Sequence, residues 1–165
     1  MDIVYDEHGN IVEGTVIKYY SDDKKMSETP YKNGKVNGDV IVYHYNGLVS
    51  SVTPYVDGII HGVEKVYYQT GMIMQVTPYE YGKLNGTVYK YFETGLLQEE
   101  AEYTKDVLNG WVIKYNSDGT VNIKQEYKKG FPVEKIEEIR KEIYISQKEE
   151  EKPDLLSQEE LDRLL

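Results

Sequence analysis

The chain has 165 residues and no cysteine. Disulfides, thiolate metal sites and cysteine nucleophiles are therefore excluded. Phenylalanine and tryptophan are nearly missing as well, at 2 Phe and 1 Trp, so the usual filling of a thick apolar core is not available. No stretch approaches the ~18 consecutive apolar residues of a membrane span. The start, MDIVYDEHGN, has neither a basic nor an apolar signal region. The chain is expected to be soluble and cytoplasmic, without a membrane partner. A formal net charge of −10 also argues against nucleic-acid backbones as partners.

What is present in excess is tyrosine and glycine, at Tyr 17 and Gly 14. They keep time. Pro30, Pro54 and Pro78 are evenly spaced, each followed by a tyrosine, and that phase gives Tyr31, Tyr55, Tyr79, Tyr103 and Tyr127. A second phase gives Tyr19, Tyr43, Tyr67, Tyr91 and Tyr115. Three glycine columns follow the same period: Gly14, Gly38, Gly62, Gly86 and Gly110; Gly34, Gly58, Gly82 and Gly130; Gly47, Gly71, Gly95 and Gly119. A period kept over five units, 7–126 plus a fragment, marks a repeat architecture.

Two of the glycine columns read as turns. Where glycine is missing from them, Asn10, Asp23 and Asp106 stand in, and these types tolerate a positive φ. KNGK at 32–35 reads as a two-residue Asn-Gly hairpin loop, and the Asn-Gly at 46–47 and Thr-Gly at 70–71 and 94–95 read as the opposite turn. Each unit is then two strands, roughly KVNGDVIVYHY and LVSSVTPYV. The third glycine column falls inside a strand, and a notch covered by a neighbouring tyrosine ring would account for its recurrence. Both faces of the strand are partly apolar. The expected fold is all-β, an elongated single-layer antiparallel meander of hairpin repeats, with aromatic ladders on one side.

Segments such as YKNGKVNGDVIVYHYNGLVSSVTP and YEYGKLNGTVYKYFETGLLQEEAE resemble the bacterial MORN-repeat variant. The resemblance covers about 7–133. It implies a sheet of stacked hairpins that acts as a protein-interaction scaffold, with no catalytic residue and no cofactor. Many bacterial members are YwqK-type antitoxins, so the resemblance also implies a toxin as an alternative partner.

Little in the sequence points to chemistry. His8, His44 and His61 sit in three different columns without metal-ligand spacing. Asp22, Asp23 and Asp39 lack the regular spacing of a calcium loop. Phosphate-loop, nucleophile-elbow and His-Glu-x-x-His patterns are all missing. An enzyme is not expected. Trp111 replaces the small or polar Thr15, Asp39, Val63 and Thr87 of its column, and it is either a packing plug or a partner-binding hot spot.

Positions 133–165 hold eleven acids against six bases, which places a boundary near Pro132. The repeat sheet is assigned to 1–132. Val133, Ile136, Ile139 and Ile143 lie at helical spacing, so 133–145 is expected to be an amphipathic helix. It either caps the end of the sheet or docks elsewhere. SQKEEEKP at 146–153 reads as a charged linker. In 154–165, Ser157 is placed as an N-cap, Glu160 completes a capping box, and Leu156 can staple onto Leu161. Leu161, Leu164 and Leu165 form one stripe. So short a helix is marginal alone, which suits a segment that folds on a surface.

LSQEELDRLL also resembles the L-S-Q-x-E-I-D-x-L-L peptide of the flagellar motor switch protein FliM, which binds a phosphorylated CheY response regulator. Leu156, Ser157, Gln158, Glu160, Asp162, Leu164 and Leu165 match, and Leu161 replaces the isoleucine. The resemblance implies a docking peptide in which Leu161, Leu164 and Leu165 fill a groove while Glu160 and Asp162 face its rim. A CheY-like regulator or flagellar switch component is the implied partner. The family's motif opens its chain, whereas here it lies in the final residues.

Overall fold

The structure, a computed structural model, describes residues 3–150. The chain divides after Gly130 into a sheet unit and a second unit that starts at Phe131. The sheet unit comprises β1 (Val4–Tyr5), β2 (Ile11–Tyr19), β3 (Lys25–Lys32), β4 (Lys35–Val36), β5 (Gly38–Tyr43), β6 (Val49–Val56) and β7 (Ile59–Ile60). It continues with β8 (Gly62–Tyr67), β9 (Ile73–Glu80), β10 (Lys83–Leu84), β11 (Gly86–Tyr91), β12 (Leu97–Thr104), β13 (Val107–Tyr115) and β14 (Val121–Lys128). The longer strands follow one another in chain order, and the short β4, β7 and β10 pair beside β3, β6 and β9. Pairing is antiparallel throughout. The all-β open meander expected from the repeat is the observed architecture.

Register assigns the two faces. Val88 lies opposite Ala101, and Ala101 opposite Val112. With Val40, Thr53, Glu64 and Thr77 these form one row across the sheet. This row is the core: Thr77 is 2 % exposed, Ala101 3 %, Val88 7 % and Val112 8 %. No larger side chain among the described residues is fully buried, as a single layer requires, since each face has only its own neighbours to exclude water. Tyr55, Tyr79 and Tyr103 lie on the same face as that row, directly opposite Gly38, Gly62 and Gly86. Tyr43 and Tyr115 lie on the other face, where their hydroxyls donate to Glu28 and Glu100. The tyrosine columns thus line both faces rather than one. A turn separates the two columns, and the chain re-enters the sheet with its alternation reversed.

Two loop types alternate. The Asn33-Gly34 and Asp57-Gly58 pairs both take positive φ at each residue, the two-residue hairpin geometry that matches strand twist. Tyr81-Gly82, Lys105-Asp106 and Lys129-Gly130 do likewise. At the opposite edge the loops have three residues, as where His44 N–H donates to Leu48 C=O and Gly47 N–H to His44 C=O. Asp23 and Asp106 take the positive φ expected of them, at 64° and 70°. Asn10 does not. The first loop runs from Asp6 to Asn10 and places Gly9 at φ 81° instead, because the order here is Gly-Asn rather than Asn-Gly and the flexible residue comes one position early.

The strand glycines differ from expectation in two respects. The first strand of each central unit is not continuous: β4 ends at Val36 and β5 begins at Gly38. Gly38, Gly62 and Gly86 sit at these breaks with φ of 110°, 118° and 121°, a region open in practice only to glycine. The space beside them is filled by proline, not by a tyrosine ring. A Cβ on Gly62 would lie 3.1 Å from Pro54 Cγ. The proline explains the break. Asn37 N–H donates to Pro30 C=O at 3.0 Å, so Pro30 turns its backbone toward the broken strand, and the donor that proline lacks falls where the ladder is interrupted. Where Asp6 and Glu102 occupy the proline column, the next strands, β2 and β13, run unbroken.

In the second unit β15 (Phe131–Pro132) leads into α1 (Val133–Glu150). Glu134 supplies an acid in the first turn, favourable at a helix start, and Pro132 just before the first helical residue forfeits no bond, because an N–H there has no intrahelical partner. Helical backbone continues through 146–150, which corrects the assignment of this stretch to the linker. Gln147, Lys148, Glu149 and Glu150 are good helix formers, and no proline interrupts until Pro153. Ile139 and Ile143 are exposed.

Substituting Gly62→Ala should cost about 1–3 kcal/mol, because alanine must adopt the same positive φ and press on Pro54. The expected result is a melting temperature lower by several degrees in circular dichroism. An unchanged melting temperature would refute this account of the column.

Candidate interaction surfaces

The sheet carries its side-chain chemistry in repeating files. Along the two-residue turns, Asn85 and Asn109 accept from the backbone N–H of Lys105 and Lys129, and His61 Nδ1 accepts from Tyr81 N–H at 3.3 Å. The His61 ring also lies against Tyr81, with centroids 4.7 Å apart. Along the opposite edge, Tyr20 donates to Tyr43 C=O at 2.8 Å, Tyr68 to Tyr91 C=O at 2.6 Å, and His44 Nε2 lies 2.9 Å from Tyr67 C=O. His44 and His61 are therefore rungs that tie one hairpin to the next, at opposite edges. His8 lies in the first loop and is exposed. Among the described residues no group of three or more His, Cys, Asp or Glu is placed to hold a metal.

The three aspartates singled out in the sequence are not brought together. Asp22 and Asp23 lie in a three-residue loop, and Asp39 is near the opposite end of β5. Asp22 pairs with Lys24 at 2.9 Å and accepts from Tyr45 at 2.8 Å. These bonds, Lys24 first, hold its carboxyl below the ordinary value. Lys24 also sits 4.0 Å from the Tyr45 ring centroid.

Trp111 lies on β13 opposite Glu126 and is 39 % exposed. The Lys124 ammonium stands 4.6 Å from its ring centroid, a geometry in which the ring face attracts the cation. Leu156, Ser157, Gln158, Glu160, Leu161, Asp162, Leu164 and Leu165 lie outside the described residues.

One further surface is not evident from the sequence alone. Leu48, Met72 and Leu96 are exposed and occupy one column of the repeat at the three-residue loops. A Cβ on Gly71 would lie 3.6 Å from Leu48 Cδ1, and one on Gly95 would lie 3.1 Å from Met72 Cε, so Leu48 and Met72 reach over the loop of the next unit, whereas no side chain comes within 4 Å of the same point at Gly119. The signal was the apolar column itself, hidden because single apolar residues in turns look incidental.

On the face that carries the core row, Glu99 bridges Lys90 at 2.8 Å and Lys114 at 3.3 Å across three adjacent strands. Burial pushes the Glu99 carboxyl up, but the bonds from Lys90 and Lys114 outweigh it and leave the carboxyl below its ordinary value of 4.5. Because folding lowers this pKa, the stabilisation is complete above the unfolded value and is lost as pH falls through the folded one. Glu99→Gln should therefore be less stable than the parent at pH 7, with the difference in melting temperature shrinking as the pH is lowered past 4.5. A difference independent of pH would assign the effect to shape instead of charge.

No curated protein matches the chain. Residues 12–33, 60–81 and 84–105 match the family model described as MORN repeat variant. Each match spans one hairpin and ends at a two-residue turn. Residues 36–57 and 108–129 keep the same phase of glycine and tyrosine between and after them. These three matches, in one phase, support the MORN-repeat family for the sheet.

Proposed function

We propose that this protein is a non-enzymatic adaptor: the repeat sheet holds one protein partner, and residues 154–165 recruit another. MORN repeats are commonly involved in protein–protein or membrane interactions, and the family is an interaction module, not a known enzyme family. The observation that supports a binding role is the set of exposed apolar and aromatic groups spread over both edges and a face of a sheet whose hairpins are tied to one another by hydrogen bonds. Leu48, Met72, Tyr81 and Trp111 remain accessible in strands and turns that already have their backbone partners. No helix among the described residues is long and apolar enough to cross a membrane, and a cytoplasmic location is part of this reading.

In this reading Leu161, Leu164 and Leu165 enter a groove on a CheY-like response regulator or a flagellar switch component. The support is the resemblance of LSQEELDRLL to the switch-protein peptide, together with its own capping signals, which lower the cost of ordering on a partner. Titration of a labelled 154–165 peptide with CheY, with and without a phosphoryl mimic, should give saturable binding that the mimic strengthens. No binding up to millimolar concentration removes this partner.

A second reading is favoured by the charge. At −10, the protein suits the electrostatic capture of a basic partner, as expected of an antitoxin of the YwqK type that neutralises a toxin by direct binding. Co-expression with a toxin encoded beside it should then restore growth even when residues 146–165 are deleted. Failure of the truncated chain to protect, where the full chain does, would make the tail the neutralising element.

A further inference from the structure

Strands equivalent to β2 are flanked on both sides inside the sheet. β5 pairs with β3 through Glu28–Ile41 and Ser27–Val42, and β13 pairs with β12 through Glu100–Ile113 and Glu99–Lys114. The period places Ile17 and Lys18 of β2 at the same positions, with Val4 and Ile3 expected across from them. That pairing does not form. Val4 pairs with Glu13 and Tyr5 with Ile11. The cause is the first loop: Asp6 Oδ1 accepts from the N–H groups of His8 and Asn10, and Asn10 Nδ2 donates to Asp6 Oδ2. This tight Asx loop draws β1 toward residues 11–13 and leaves the rest of the β2 edge without a cross-strand partner among the described residues.

This edge, without a partner strand among the described residues, presents backbone donors and acceptors. Pro30 lies opposite Thr15 and turns its carbonyl to the far side of β3, where Asn37 N–H meets it. In an antiparallel pair, residues that do not bond each other both face away. Thr15 therefore turns its backbone groups outward, and Ile17 does so by alternation. The side chains agree, for Ile17 is 37 % exposed and Tyr19 52 %.

What fits there is specified by a duplicate. Residues 16–19 and 112–115 have the same sequence, Val-Ile-Lys-Tyr, and in the second copy the flanking strand is present. It contributes Glu99 to Lys114, Glu100 to the Tyr115 hydroxyl, and the small Ala101 opposite Val112. Lys18 and Tyr19 have the same side chains without those carboxylates. We propose that the β2 edge is a strand-addition site for an extended segment of a partner protein carrying two adjacent glutamates followed by a small residue, docked antiparallel with the glutamates at Lys18 and Ile17. Main-chain bonds to Thr15 and Ile17 supply the attachment and the two carboxylates the selectivity. The proposal deepens the interaction-scaffold reading but uses a surface separate from residues 154–165.

The probe is a labelled peptide of sequence Leu-Gln-Glu-Glu-Ala-Glu, copied from residues 97–102 and stopping short of the part of the β2 edge that β1 takes, titrated with the full chain. Saturable binding is expected, about tenfold weaker for the peptide with both central glutamates changed to glutamine. Lys18→Ala and Tyr19→Phe, both at exposed positions, should weaken it as well. Amide exchange at Thr15 and Ile17 should be fast in the free chain and slow on peptide addition. The proposal is overturned by binding that ignores these variants, by no binding up to millimolar concentration, or by amides at Thr15 and Ile17 already protected in the free chain. The peptide of residues 154–165 enters neither arm, so failure here leaves the adaptor's tail untouched, and failure of the tail leaves this edge standing.

Discussion

The architecture depends on one backbone hydrogen bond, repeated wherever a two-residue turn meets the hairpin before it. The N–H of the turn's second residue donates to a carbonyl of that preceding hairpin: Gly34 to Val12, Gly58 to Val36, Gly82 to Ile60, Asp106 to Leu84 and Gly130 to Leu108, each at 2.8 or 2.9 Å. A hairpin on its own buries too little to persist in water. Fastened to its neighbour at the turn, and again by tyrosine or histidine at the opposite edge, it becomes one rung of a stack whose stability is a sum of nearest-neighbour terms. The positive φ of the turn residues is what aims the N–H backward, so the conformational peculiarity and the inter-repeat bond have one cause.

The thinness of the core follows. A single layer cannot hide large side chains, and the most buried row is small: Thr77, Ala101, Val88 and Val112. Tyrosine suits such a sheet because its ring covers area while its hydroxyl finds a partner at the surface, as Tyr43 does on Glu28 and Tyr68 on a backbone carbonyl. The same thinness leaves much of both faces accessible, so a scaffold of this kind offers binding surface without having to open. Variation then enters at single columns. Phe92 stands where Tyr20, His44 and Tyr68 reach across, and it lacks the polar atom to do so. Trp111 stands where its equivalents are small or polar, and Glu102 where they are proline, which lets β13 run on unbroken.

The first hairpin shows how a local choice changes a repeat. Gly9-Asn10 reverses the usual order, and Asp6 supplies a competing set of acceptors. Side-chain to backbone bonds of this kind offer the chain an alternative to the ladder. The result is a shifted first strand and an edge that carries the same Val-Ile-Lys-Tyr as an interior strand but, among the described residues, without that strand's glutamate neighbours.

The repeat length, the antiparallel meander, the Asn-Gly turn at 33–34 and the positive φ of Asp23 and Asp106 were all legible in the amino-acid order, because each follows from periodicity or from the backbone preferences of one residue. The helix after Pro132 was legible for the same reason, though its extension to Glu150 was not, since Lys- and Glu-rich text reads equally as linker and as helix surface. The remaining features came from packing between repeats. The break at Gly38, Gly62 and Gly86 arises from a proline on the neighbouring strand. The division of the tyrosines between both faces depends on register. The Leu48, Met72 and Leu96 file and the open edge at Ile17 depend on which hairpin lies beside which. Contacts between strands of successive repeats are properties of the stack, and no single unit encodes them.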